Sequence, residues 1–102
     1  MQLDLVERLT LLGTLPERGD IVTIKVIRKL RESLAPTEEE IQQYGLRSQD
    51  WEIQSGLGIS EIIISEVQRG IIVDALREGD QKKQLTIQHL SLWEKFCENY
   101  QE

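Results

Sequence analysis

The side chains best suited to proton transfer or nucleophilic attack in this chain are its single histidine, His89, and its single cysteine, Cys97. General acid–base work requires a positioned partner, and Ser91 or Glu94 on the same predicted helix would have to supply it. Positions 89 and 94 diverge around a helix, whereas 89 and 93 are neighbours, so His89 is expected to stack or cap beside Trp93. Cys97 lies eight residues from His89, about two turns or ~12 Å along a helix, too far for a thiol–imidazole dyad. It is expected to pack as a small apolar residue. Glu38-Glu39-Glu40 lacks the spacing of a calcium loop and reads as solvated carboxylates in the first turn of a helix. Gly56-Leu57-Gly58 lacks the third glycine and the Lys-Ser/Thr pair of a phosphate cradle and reads as a turn. No catalytic residue, metal site or cofactor site is expected.

Charge is unevenly distributed. The chain carries 12 Lys and Arg against 18 Asp and Glu, a formal net charge of −6. Five of the basic residues fall between Arg18 and Arg31, with Asp20 as the only acid there. Lys25, Arg28, Lys29 and Arg31 could touch phosphates if their helix met nucleic acid. A winged-helix layout would place its recognition helix just before a hairpin, and here that helix carries Glu38-Glu39-Glu40, which repel a phosphate backbone. The basic strip therefore reads first as a solvated face paired with nearby acids, and the overall charge works against nucleic-acid binding.

The elements that would hold these residues are mainly helices. Asp4 and Glu7 form a capping-box pattern before the apolar stripe Leu5, Leu9 and Leu12, which predicts a helix from Leu5 to Leu12 closed by a left-handed Gly13. Asp20 or Thr23 can cap a second helix from about Thr23 to Leu34, although the β-branched run Ile21-Val22-Thr23-Ile24 could begin extended. Thr37 through Glu40 is a capping box for a short third helix through Ile41 and Tyr44. Trp51-Glu52-Ile53-Gln54 and Ile62-Ile63-Ile64 read as two strands of a small hairpin about the turn at residues 55–58. Ser65 and Gln68 start a fourth helix from about Glu66 to Glu78, with Val67, Ile71, Ile72, Ala75 and Leu76 on its apolar face. Thr86 can cap a fifth, on which Ile87, Leu90, Trp93, Phe96, Cys97 and Tyr100 fall on one side as a core anchor. The expected fold is mainly α, about five short helices around one core with a small β-hairpin between helices three and four.

A length of 102 residues with 39% hydrophobic and 29% charged side chains suits one domain spanning 1–102. The single cysteine excludes an intrachain disulfide, and no signal-peptide pattern or membrane-length apolar run is present, so a cytoplasmic setting is expected. The strings Glu7-Arg8-Leu9-Thr10-Leu11-Leu12, Leu15-Pro16, Arg28-Lys29-Leu30-Arg31-Glu32 and Leu85-Thr86 through His89-Leu90-Ser91-Leu92-Trp93-Glu94-Lys95-Phe96 resemble those of small uncharacterised proteins of tailed phages and prophages. The resemblance implies a viral or mobile-element accessory protein and assigns no functional residue. The expected activity is protein–protein contact without catalysis, with Ile62, Ile63, Ile64, Ile72 and Val73 as the candidate interface to a partner protein or a second copy. The alternatives are a nucleic-acid-associated regulator using Lys25, Arg28, Lys29 and Arg31, or an acidic inhibitor of a host nucleic-acid-binding protein.

Overall fold

The structure, a computed structural model, describes residues 1–46 and 56–98. Their order is β1 (Gln2–Leu3), α1 (Leu5–Thr14), α2 (Ile21–Leu34), α3 (Glu38–Gln43), β2 (Ser60–Glu61), α4 (Glu66–Gln81) and a composite C-terminal helix. The composite is a 3₁₀ turn at Ile87–His89, an α-helical turn α5 at Leu90–Trp93 and a π-helical turn at Glu94–Glu98. The fold is mainly helical, with one small two-stranded antiparallel sheet.

Short-range chemistry sets the helix starts. Asp4 Oδ1 accepts the Glu7 amide at 2.7 Å while Glu7 Oε1 accepts the Asp4 amide at 3.0 Å. Asp20, not Thr23, caps α2, accepting the Thr23 amide at 2.7 Å, so the β-branched run from Ile21 is helical. Capping boxes on Thr37 and Ser65 start α3 and α4.

Proline, rather than glycine, sets two of the ends. α1 continues through Gly13 to Thr14 and stops at Leu15, whose φ of −61° and ψ of 142° are the extended geometry that Pro16 imposes on its predecessor. Ala35 before Pro36 stops α2 in the same way, with φ −60° and ψ 140°. α4 runs past Glu78 to Gln81, and Gly79 lies inside it against Leu85, where a Cβ would sit 2.8 Å from Cδ2. Lys83, with φ 57°, takes the left-handed position after the helix instead.

The sheet is non-local. β2 pairs with β1, Gln2 opposite Glu61 and Leu3 opposite Ser60, and the Ile62 amide extends the ladder to the Met1 carbonyl at 2.8 Å. The strand expected at residues 51–54 lies outside the described residues. The core comprises Leu3, Leu11, Leu15, Leu30, Leu34, Ile62, Ile72, Leu76, Leu92 and Phe96. Phe96 anchors it as expected, while Trp93 and Cys97 are half-buried at its edge.

Candidate functional site

Each residue with chemical potential is held by its own contacts. The Thr86 amide donates to His89 Nδ1 at 3.0 Å, which leaves the neutral ring's proton on Nε2, 2.9 Å from Thr14 Oγ1. Thr14 Oγ1 in turn donates to the Thr10 carbonyl at 2.7 Å. His89 therefore caps the 3₁₀ turn and pins it to the end of α1, with both ring nitrogens engaged. Burial lowers its pKa from the ordinary 6.5. A cavity of about 320 Å³ beside it is lined by Gly13, Thr14, Glu78, Lys82 and Leu85. Burial raises the pKa of the Cys97 thiol, which keeps it neutral and weakly nucleophilic.

Glu40 is not a solvated carboxylate. It grips Arg8, which is only 2% exposed, through Arg8 Nη1 to Glu40 Oε1 at 3.1 Å and through an Nη2–Oε2 contact. Arg8 Nη2 also donates to the Gly58 carbonyl at 2.8 Å. The hydrogen bonds from Arg8 hold the Glu40 carboxyl below its ordinary pKa. Gly56 and Gly58 do form a turn, but it docks on the start of α1: the Leu5 amide donates to the Leu57 carbonyl at 3.0 Å. A Cβ on Gly58 would lie 2.9 Å from Leu5 Cβ, and its φ is 67°. On the other side, buried Glu7 accepts from Lys95 Nζ at 2.8 Å, joining α1 to the π-helical turn. Among the described residues no three His, Cys, Asp or Glu side chains converge as a metal site would require. The Arg8–Glu40 pair was missed in the sequence, although Arg8 lies three residues from both Leu5 and Leu11 on a buried face. A guanidinium there demands a buried anion.

The five-residue apolar interface is divided by the fold. Ile62 and Ile72 are buried in the core; Ile64 and Val73 are half-buried against it, and of the five Ile63, 88% exposed, alone projects fully. Ile62 extends the β2 ladder through its bonds with Met1, and burial alternates along the run as it does in an extended segment, where successive side chains point to opposite sides. Of the basic strip, Lys25, Arg28 and Lys29 are exposed and Arg31 is half-buried. Ile21 and Val22, each 69% exposed, open the same outer face of α2.

A different apolar surface emerges on the C-terminal helix. Leu85, Ile87, Leu90 and Trp93 line a mainly apolar groove of about 370 Å³, with Asp80 and Glu98 as its charged lining residues. Ile87 is 84% and Leu90 53% exposed, whereas Leu92 and Phe96 carry the burial. Uniform 3.6-residue periodicity places 87 and 90 on the core side; a tighter turn before α5 and a wider one after it shift the phase, so the buried stripe becomes 92 and 96. These features define a small helical protein with an apolar, acid-rimmed groove on its last helix. Comparison with protein-family models, curated proteins and solved structures finds no match to the chain. Among the described residues no helix is long and apolar enough to cross a membrane.

Proposed function

We propose that this chain is a non-catalytic accessory protein of phage or prophage type that acts by binding another protein, in a reducing, cytoplasmic setting. The observation that carries the reading is the groove: Ile87 and Leu90 stand open to solvent beside Trp93, while the nearby polar side chains of His89 and Thr14 are already engaged with one another. Exposed apolar side chains gathered in one concavity are the usual signature of a protein contact. The phage-type part rests on the resemblance of the helix-core strings, and the setting on the single, neutral Cys97. The test is affinity capture from cell extract with the full chain and its Leu90→Glu variant. A partner retained by the first and lost by the second, with unchanged far-UV circular dichroism, is the expected result; equal retention overturns the reading.

A second reading is nucleic-acid contact through Lys25, Arg28, Lys29 and Arg31, favoured by the exposure of the first three on one helix face. A gel shift with duplex DNA that persists at ~150 mM salt and vanishes in Arg28→Glu/Lys29→Glu would establish it.

A further inference from the structure

We propose that the groove on the C-terminal helix receives a second copy of this chain, and that what enters it is the outer face of α2. The proposal rests on the reading of the groove as a binding surface and adds its occupant.

Two exposed faces of the molecule carry no contact that explains them among the described residues, and they match. The outer face of α2 begins with Ile21 and Val22, each 69% exposed, and continues one and two turns on with exposed Lys25, Arg28 and Lys29. The outer face of the C-terminal helix begins with Ile87 and Leu90 and continues with exposed Glu94 and Glu98. Each face is apolar at its start and charged at its end, with opposite signs. Val22 to Lys29 and Leu90 to Glu98 span similar lengths, on the order of 10–12 Å at 1.5 Å per residue. Laid parallel, the α2 of one copy sets Ile21 and Val22 over the Ile87/Leu90 floor of the next and brings Lys25, Arg28 and Lys29 beside Glu94 and Glu98.

Among the described residues neither face is satisfied within one chain. α2 turns Ile27, Leu30 and Leu34 inward, so its outer face points away from the core that Leu92 and Phe96 join. No ion pair involves Lys25, Arg28, Lys29, Asp80, Glu94 or Glu98 among the described residues. A foreign partner would account for only one of the two faces; a second copy accounts for both and for their common polarity. A two-fold dimer makes this contact twice, each copy's α2 lying in the other's groove, whereas a contact that is not returned continues head to tail.

Sedimentation velocity on the full chain across a wide concentration range tests this directly. The expected result is a mass rising from 11.8 kDa toward at least twice that value, with association weakened by added salt because the charged half is screened. Ile21→Glu/Val22→Glu and Leu90→Glu change only exposed or half-exposed side chains, so circular dichroism should be unaltered. Each variant should lose association by at least ~tenfold, as loss of a central apolar anchor does. Mixed together, the two variants should recover a one-to-one heterodimer, because one retains an intact groove and the other an intact α2 face. A mixture that stays monomeric overturns the proposal. A wild-type chain that stays monomeric yet captures a foreign protein through Leu90 overturns the second copy and leaves the proposed function standing. A monomer whose captures ignore Leu90→Glu overturns both. A DNA shift lost with Arg28→Glu but kept with Ile21→Glu assigns the α2 face to nucleic acid and overturns the proposal.

Discussion

Glu40 should matter more to stability than its place in an exposed acidic run implies, and more than Arg8, the partner it neutralises. Glu40→Ala strands a guanidinium that is 2% exposed, with only the Gly58 carbonyl left as a hydrogen-bond acceptor and with Nε already unpartnered among the described residues. Removing one member of a buried pair costs about 3–5 kcal/mol. The partial exposure of Glu40 favours the lower end of that range, and loss of its bond from the Thr37 amide adds roughly 0.5–1 kcal/mol. Arg8→Met leaves a comparable volume and a carboxylate that can turn to water, so about 1–2 kcal/mol is expected. Far-UV circular dichroism against urea measures both, and a loss of 3 kcal/mol should also lower the melting temperature by roughly 12 °C or more for a domain of this size. The double variant Arg8→Met/Glu40→Ala should cost little beyond Arg8→Met and the lost Thr37 bond, a coupling of about 3 kcal/mol. The pH dependence follows from the lowered Glu40 pKa: its contribution is complete above the ordinary value of 4.5 and is lost as pH falls through the lower folded value. Glu40→Gln should flatten that acid limb. Equal losses for Glu40→Ala and Arg8→Met, or a coupling below ~0.5 kcal/mol, would refute a buried, mutually dependent pair.

His89 has a lowered pKa, so its contribution should be complete above 6.5 and decline as pH falls from there toward the folded value; His89→Gln should remove this part of the urea-midpoint profile. Gly58→Ala should destabilise by about 1–2 kcal/mol or more, since its φ of 67° is left-handed and the new Cβ meets Leu5 Cβ at 2.9 Å. Gly70→Ala, inside α4 with open space around its Cβ position, should stabilise by roughly 0.5–1 kcal/mol in the same assay, and a loss there would contradict the described geometry. Lys83→Gly should raise the thermal midpoint by relieving a left-handed residue at φ 57°, worth about 1 kcal/mol before the extra unfolded-state entropy of glycine is set against it.

What was legible in the sequence was whatever acts within a few residues. The caps on Asp4, Thr37 and Ser65 involve a side chain and an amide three positions away, so their spelling alone identifies three helix starts. Pro16 and Pro36 act on the residue before them, and the stop at Leu15 could have been placed by that rule had Gly13 not offered a competing one. The pairing of β2 with β1 was not legible, because any extended segment can supply a ladder and nothing local names Gln2–Leu3 as the partner. The candidate groove was hidden for a different reason. Periodicity assumes a constant pitch, and the last helix changes pitch twice. One feature visible in advance could have signalled the first change, Thr86 three residues before a histidine able to accept its amide, whereas the bonds from Lys95 to Glu7 and to the Gln2 carbonyl join residues 88 and 93 positions apart and nothing local announces them. The bonds of His89 Nε2 with Thr14 Oγ1 and of Lys95 Nζ with Glu7 and the Gln2 carbonyl tether the 3₁₀ and π-helical turns to the N-terminal part of the chain. Ile87 and Leu90 are exposed on the stretch that these two contacts bracket. Loosening either tether should let the helix relax toward uniform pitch and draw the groove's apolar floor back toward the core. Thr14→Val, which removes the tether of His89 without touching a groove-lining residue, should therefore reduce groove-dependent binding, and unchanged binding would contradict the coupling.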